Sequence, residues 1–159
     1  MMTRTPPAAF VAAAAVHFRA RILSFSSSGA MPIIPIAFPV TLAANEIAAV
    51  GILPAGCVPV DVKLIADKLD TNATDTLTLA VGLLNTAKDD LVAASTFITG
   101  ATADATVNVA TGNAIGMMGI APDDENDRIL ALKCTAAAAS KAAGGVRVIM
   151  TYRASNYGA

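Results

Sequence analysis

The chain has 159 residues, a formal net charge of −1 and 14% charged side chains, where ordinary soluble domains carry about 25%. That length gives room for one domain with a real core and too little for two. The near-neutral balance excludes the clustered basic surface that a nucleic-acid-binding protein needs. Hydrophobic residues make up 55% of the chain, but much of that is alanine, and aromatics are 4% with no Trp. The excess therefore implies smooth, weakly charged surfaces suited to contact with other chains.

Residues 1 to 30 differ from the rest. A Pro-containing start (Met1 to Pro7) leads into the alanine-rich Ala8 to Val16, followed by His17, Arg19 and Arg21. No run reaches the ~18–20 apolar residues of a membrane span. The weak basic start with Pro6-Pro7 and the charges after Val16 argue against a secretory signal. Val16, Phe18, Ala20 and Ile22 alternate with His17, Arg19 and Arg21, and Ser24 to Gly29 reads as a joint. The segment is expected to be an extended N-terminal arm, separable from a domain over 31–159. Twenty extended residues span roughly 65 Å.

From Met31 onward the pattern is strand and turn. Ile34, Ile36, Phe38 and Val40 share one parity, with Pro35 and Pro39 on the other; proline cannot donate to a ladder, which predicts an edge strand or one entering a corner. Glu46 to Leu53 predicts a weaker strand, closed by Pro54-Ala55-Gly56. Two period-2 segments follow: Val58, Val60, Val62, Leu64 and Ala66 share one face, then Leu77, Leu79, Val81 and Leu83. The polar run Asp70 to Asp75 between them predicts a turn and hence a β-hairpin.

Leu91 to Ile98 predicts a strand or an irregular crossing. Thr99 to Asn113, poor in core anchors, predicts a loop with a weak strand at Thr106 to Val109. Ala114 to Ile120 predicts a short apolar strand, and Ala121 to Asn126 an exposed acidic turn. Two closing strands, Arg128 to Thr135 (Leu130, Leu132 and Cys134 inward) and Val146 to Arg153 (Val148, Met150 and Tyr152 inward), are joined through Ala136 to Gly145, where Gly-Gly predicts a hairpin loop. Seven or eight strands without a long helix predict an all-β, antiparallel β-sandwich.

Chemistry finds few footholds. The single histidine, His17, lies in the arm, so neither a Ser-His nor a Cys-His pair can be assembled in the domain. Two cysteines and one histidine cannot supply a four-ligand zinc site. Cys57 and Cys134 fall in predicted strands and read as small core residues in a protein made in a reducing cytoplasm. The acidic turn Asp123 to Asp127 and the run Asp70 to Asp75 lack the glycine and distal glutamate of an EF-hand, which favours solvated turns over calcium sites. Gly112, Gly116 and Gly119 lack the strand-to-helix context and lysine of a phosphate loop. No cofactor and no catalytic residue is expected.

The run from Leu53 to Leu64 (LPAGCVPVDVKL), then TLTLAVGLLN (Thr76 to Asn85), DDLVAASTFITGATA (Asp89 to Ala103) and the closing DRILALKCTAAAASKAAGGVRVIMTYRAS, resembles the decoration proteins (cement, or auxiliary capsid, proteins) of tailed-bacteriophage heads. The resemblance implies a β-sandwich or jelly-roll-like body and a homo-oligomer, a trimer being favoured, on the capsid exterior. The partner it implies is the major capsid protein, with neighbouring capsid subunits bridged and the head stabilised without catalysis. The arm has no counterpart in the family pattern. By inference it supplies the adhesive contacts through Phe10, Val16, Phe18, Arg19, Arg21 and Ile22. A tail-fibre or surface module recognising a glycan or receptor is the alternative, with the acidic turn as its best support. A small hydrolase is the weakest class, because no acid–base pair is assembled.

Overall fold

The computed structural model describes residues 34–38 and 43–154. Phe10, Val16, Phe18, Arg19, Arg21, Ile22 and His17, with the whole of the expected arm, lie outside the described residues. Among the described residues, eight strands and one short helix follow in the order β1 (Ile34–Phe38), β2 (Ile47–Leu53), β3 (Cys57–Asp67), β4 (Thr78–Leu84), β5 (Leu91–Thr102), β6 (Val107–Thr111), α1 (Ala114–Met118), β7 (Arg128–Ala136) and β8 (Gly144–Ala154). They form two four-stranded sheets, β1-β8-β3-β6 (sheet I) and β2-β7-β4-β5 (sheet II), with every pairing antiparallel. The expected all-β antiparallel sandwich is present, and β1, with its Pro35, is an edge strand as expected.

The core lies between the sheets. Val62, Leu64 and Ala66 of β3 and Val146 and Met150 of β8 meet Leu79, Val81 and Leu83 of β4 and Leu130, Leu132 and Cys134 of β7. These are the inward parities that alternation predicts, since one face of each strand meets the opposite sheet. Val60 is the exception: the β3–β8 register shifts between Pro59 and Asp61, which turns Val60 outward as the extra residue of a bulge.

The expected hairpin between β3 and β4 does not exist. β3 pairs with β6 and β8, whereas β4 pairs with β5 and β7, so the Asp70–Asp75 run carries the chain from sheet I to sheet II. The Ala136–Gly145 connection is likewise no hairpin loop but an arch in the return direction, because β7 and β8 belong to different sheets. Period-2 alternation reports that a strand has one buried face; it carries no information on which strand lies beside it.

Two further expectations are corrected. Ala114 to Met118 is helical, capped by the Asn113 side chain, whose Oδ1 accepts from the Ile115 and Gly116 amides at 3.1 and 3.4 Å. Only Met117 points inward, against Val62 and Gly112. The expected loop over Thr99 to Asn113 begins instead with the end of β5, with Ala101 and Ala103 buried, while the weak strand expected at Thr106 to Val109 is present as β6.

Candidate contact surfaces

The two arches lie side by side at one end of the sandwich, tied by the buried carboxylate of Asp70. Its Oδ1 accepts the amides of Asn72 at 3.1 Å and Ser140 at 3.1 Å, and its Oδ2 those of Thr76 at 2.9 Å, Leu77 at 3.3 Å and Ala139 at 3.2 Å. The amides of Thr76, Asn72, Ser140 and Ala139 hold this carboxyl far below the usual carboxylate range, against an opposing push from burial. Backbone bonds complete the seam: Thr71 N–H to Ser140 C=O at 2.8 Å and Ala142 N–H to Leu69 C=O at 2.9 Å. Asp70 therefore carries structure rather than chemistry. Every amide it faces belongs to the loops it joins.

At the opposite end, Asp123 Oδ1 accepts the Glu125 and Asn126 amides at 3.1 and 3.0 Å, which lowers its pKa. Asp127 Oδ1 accepts from Ala55 N–H at 2.9 Å, and Arg128 donates to the carbonyls of Ala121 and Cys57 at 2.9 and 2.6 Å. The acidic turn is thus bound to the Pro54–Gly56 turn by backbone contacts. Among the described residues, no three His, Cys, Asp or Glu side chains gather as a metal site. A cleft of about 400 Å³ lies here, lined by Asn85, Thr86, Lys88, Asp123, Asn126 and Asp127 together with Leu84 and Ile129, with no aromatic ring among its lining residues. Cys57 and Cys134 are free thiols whose pKa values burial raises.

The outer faces of the two sheets differ. On sheet II, Ala80, Gly82 and Ala131 point away from the core yet are buried. A β-carbon on Gly82 would stand 2.7 Å from the Ser95 carbonyl oxygen, and Lys133 Nζ reaches Asp90 Oδ1 at 2.7 Å. The start of β5 therefore lies over this face, and small residues are required beneath it. Of the two alternatives expected for Leu91 to Ile98, the strand is present, with an irregular register: Leu84 pairs with Leu91 but Gly82 with Thr96, leaving extra residues on β5.

Sheet I is open. Its outer rows run Val109–Ile65–Arg147 and Thr111–Lys63–Ile149, with Val107 beside Asp67. Among the described residues, the four most exposed large hydrophobic ones all fall between positions 107 and 118: Val107 at 61%, Val109 at 63%, Ile115 at 82% and Met118 at 86%. Sequence reasoning missed this cluster because it took most of the region for a loop and the helix for a strand.

Comparison with solved structures gives the context for such a surface. The chain matches one from a structure described as the capsid of Ralstonia phage GP4 with a TM-score of 0.66 and 26% identity, covering 82% of this chain and 88% of that one. It matches one from a cyanophage Pam1 capsid asymmetric unit with a TM-score of 0.60 and 29% identity, covering 84% and 93%. This is a phage capsid-related protein. No family model matches it, and no curated protein does. The likeness supports a virion structural role, in which exposed faces matter more than clefts. The open face of sheet I, with β6 and α1, is the candidate contact surface.

Proposed function

We propose that this chain is a non-enzymatic decoration protein, which sits on the exterior of a phage head, bridges neighbouring capsid subunits and stabilises the shell. The observation that carries the reading is the likeness to chains of two phage capsid structures over 88% and 93% of their lengths. The physical features fit. The body is a sandwich tied at both ends by buried or backbone-bound carboxylates, with one sheet face covered by β5 and the other covered by no described residue. Its partner is the major capsid protein, and it acts as a homo-oligomer, the trimer being the favoured form. It is made in the host cytoplasm. Residues 1 to 30 are the arm, and Phe10, Val16, Phe18, Arg19, Arg21 and Ile22 supply its adhesive contacts. Several modest contacts per subunit give avidity that none gives alone.

The test is to mix undecorated capsids with the full-length chain and with a version beginning at Met31, then measure co-sedimentation and the temperature at which the shell opens. Full-length protein is expected to bind and raise that temperature, and the shortened version to bind at least about tenfold more weakly. Absence of binding by the full-length chain defeats the decoration reading, and equal binding by both defeats the arm's part in it.

The cleft beside Asp123 to Asp127 favours a second reading, a surface module that recognises a glycan or receptor. Carbohydrate sites stack sugars on aromatic rings, and this cleft has none among its lining residues. Glycan-array binding without capsid affinity would reverse the order of the two readings.

A further inference from the structure

We propose that the N-terminal segment of this chain docks on its own α1, setting Phe18 and Ile22 on Ile115 and Met118, and Arg19 and Arg21 beside the acidic turn that follows the helix. Residues three apart lie on one side of a helix. Ile115 and Met118 therefore share a side, while Met117 points inward, and they are the two most exposed large hydrophobic residues among those described. Single exposed apolar residues are ordinary, but adjacent ones mark a contact surface. No described residue covers this pair.

The strand directions say which part of the chain arrives there. β6 pairs Val107 with Asp67 and Thr111 with Lys63, so it runs toward the Cys57 end of β3, and α1 follows it at that end. β1 pairs Phe38 with Gly144 and Ile34 with Val148, and β8 runs on from Val148 to Ala154, opposite Cys57. Ile34 is thus the end of β1 nearer Cys57, and residues 1–33 join the body on the side of α1. Strand spacings of about 4.8 Å and rises of about 3.3 Å per residue put α1 roughly 25 Å from Ile34. Residues 22–33 span up to roughly 40 Å when extended, so Phe18 and Ile22 reach α1, with the Ser24 to Gly29 stretch as the joint. A tether this short gives an effective concentration in the millimolar range, which favours the chain's own segment over a second copy's.

Charge and pattern match as well. Val16, Phe18, Ala20 and Ile22 form one parity of the segment, and His17, Arg19 and Arg21 the other. Residues 1–45 carry Arg4, Arg19 and Arg21 and neither Asp nor Glu, so all 12 acidic residues lie from Glu46 onward. Four of them, Asp123, Asp124, Glu125 and Asp127, fall between α1 and β7, and Asp124 and Glu125 are exposed. With the apolar parity on Ile115 and Met118, the long arginine side chains reach over to this turn, and opposite charges face each other. The inference concerns the free chain and does not rest on the virion reading. Within that reading, the docked state holds the adhesive residues in reserve until a capsid competes for them.

Trypsin cleavage after Arg19 and Arg21 tests this in the full-length chain, with the free peptide of residues 1–30 as the unprotected reference. The wild type is expected to be cut about tenfold more slowly than the peptide, at every protein concentration, and the ratio to fall as salt rises. The double variant Ile115→Ser, Met118→Ser changes exposed side chains, so it is expected to keep the wild-type melting temperature and to bring the ratio to about one. Phe18→Ser, compared with its own peptide, should do the same from the other side of the contact without touching the body. Equal cutting of wild type and peptide overturns the proposal, as does protection that survives both variants. Protection that grows with protein concentration also overturns it, assigning α1 to a second copy's arm. No capsid enters the assay, so its outcome is independent of the decoration test.

Discussion

Asp70 and Ser140 are separated by 70 positions, yet the Ser140 backbone N–H donates to Asp70 Oδ1 at 3.1 Å. That bond, with its neighbour from Ala139 at 3.2 Å, fastens the chain leaving sheet I to the chain returning to it. Asp70 is the one buried charged or polar side chain among the described residues, and backbone amides rather than a cation neutralise its environment.

Replacing it should therefore loosen both arches together. Asp70→Ala is expected to lower the melting temperature by on the order of 10 °C. Asp70→Asn should recover part of the loss, because an amide oxygen still accepts while its NH₂ meets donors. Thermal melts give the size of the effect, and hydrogen exchange should show the amides of Asn72, Thr76, Ala139 and Ser140 losing protection first.

The pH profile follows from the same residue with the sign worked out. Asp70, Asp90 and Asp123 all have folded-state pKa values below the ordinary 3.8, so the unfolded chain binds more protons in acid. Their stabilisation is fully present above about pH 5 and is lost as pH falls through and below about 4. Cys57, Cys134 and Tyr152 are shifted upward by burial, which places the opposite loss above their ordinary values of 9.0 and 10.0. Melting temperature should be level between about pH 5 and 8 and fall on both sides.

Two glycines should differ in their tolerance of a methyl group. At Gly82 a β-carbon meets backbone, the Ser95 oxygen at 2.7 Å and Thr96 Cα at 2.9 Å, so β5 itself must move. At Gly144 it meets the Leu69 Cδ2 atom at 2.7 Å, the end of a side chain that can rotate, and Asp67 Cβ at 3.0 Å. Gly82→Ala is expected to cost about 2–3 kcal/mol and Gly144→Ala less, measured by urea unfolding.

The helix offers a contrast of faces. Met117→Ala removes a buried side chain and is expected to cost about 2–3 kcal/mol. Ile115→Ser changes an exposed one and should stay within about 0.5 kcal/mol. A variant at Ile115 that weakens assembly while leaving unfolding unchanged would therefore report on the surface alone.

The inward residues of β3, β4, β7 and β8 were almost all legible from alternation, since a strand beside a core must repeat with period 2. Pro35 marked an edge for an equally local reason. The helix was not legible, because Ala-Ile-Gly-Met-Met is apolar without a clear period and the Asn113 cap lies outside the run. Asp70 read as a turn residue, which it is. Its partners Ala139 and Ser140 were hidden, because a carboxylate's choice of distant amides leaves no trace in spacing. The candidate surface was hidden too, as Val107 and Val109 stand out only once β6 is known to be an edge.

By itself the sequence determined which residues face inward, because burial and the pleat are properties of each strand alone. It also determined the low share of charged side chains. Only the tertiary structure decided which strands are neighbours. The Asp70 loop is an arch and not a hairpin because a strand's partner is chosen by long-range packing, where buried apolar faces and satisfied backbone groups must close across the whole sandwich at once.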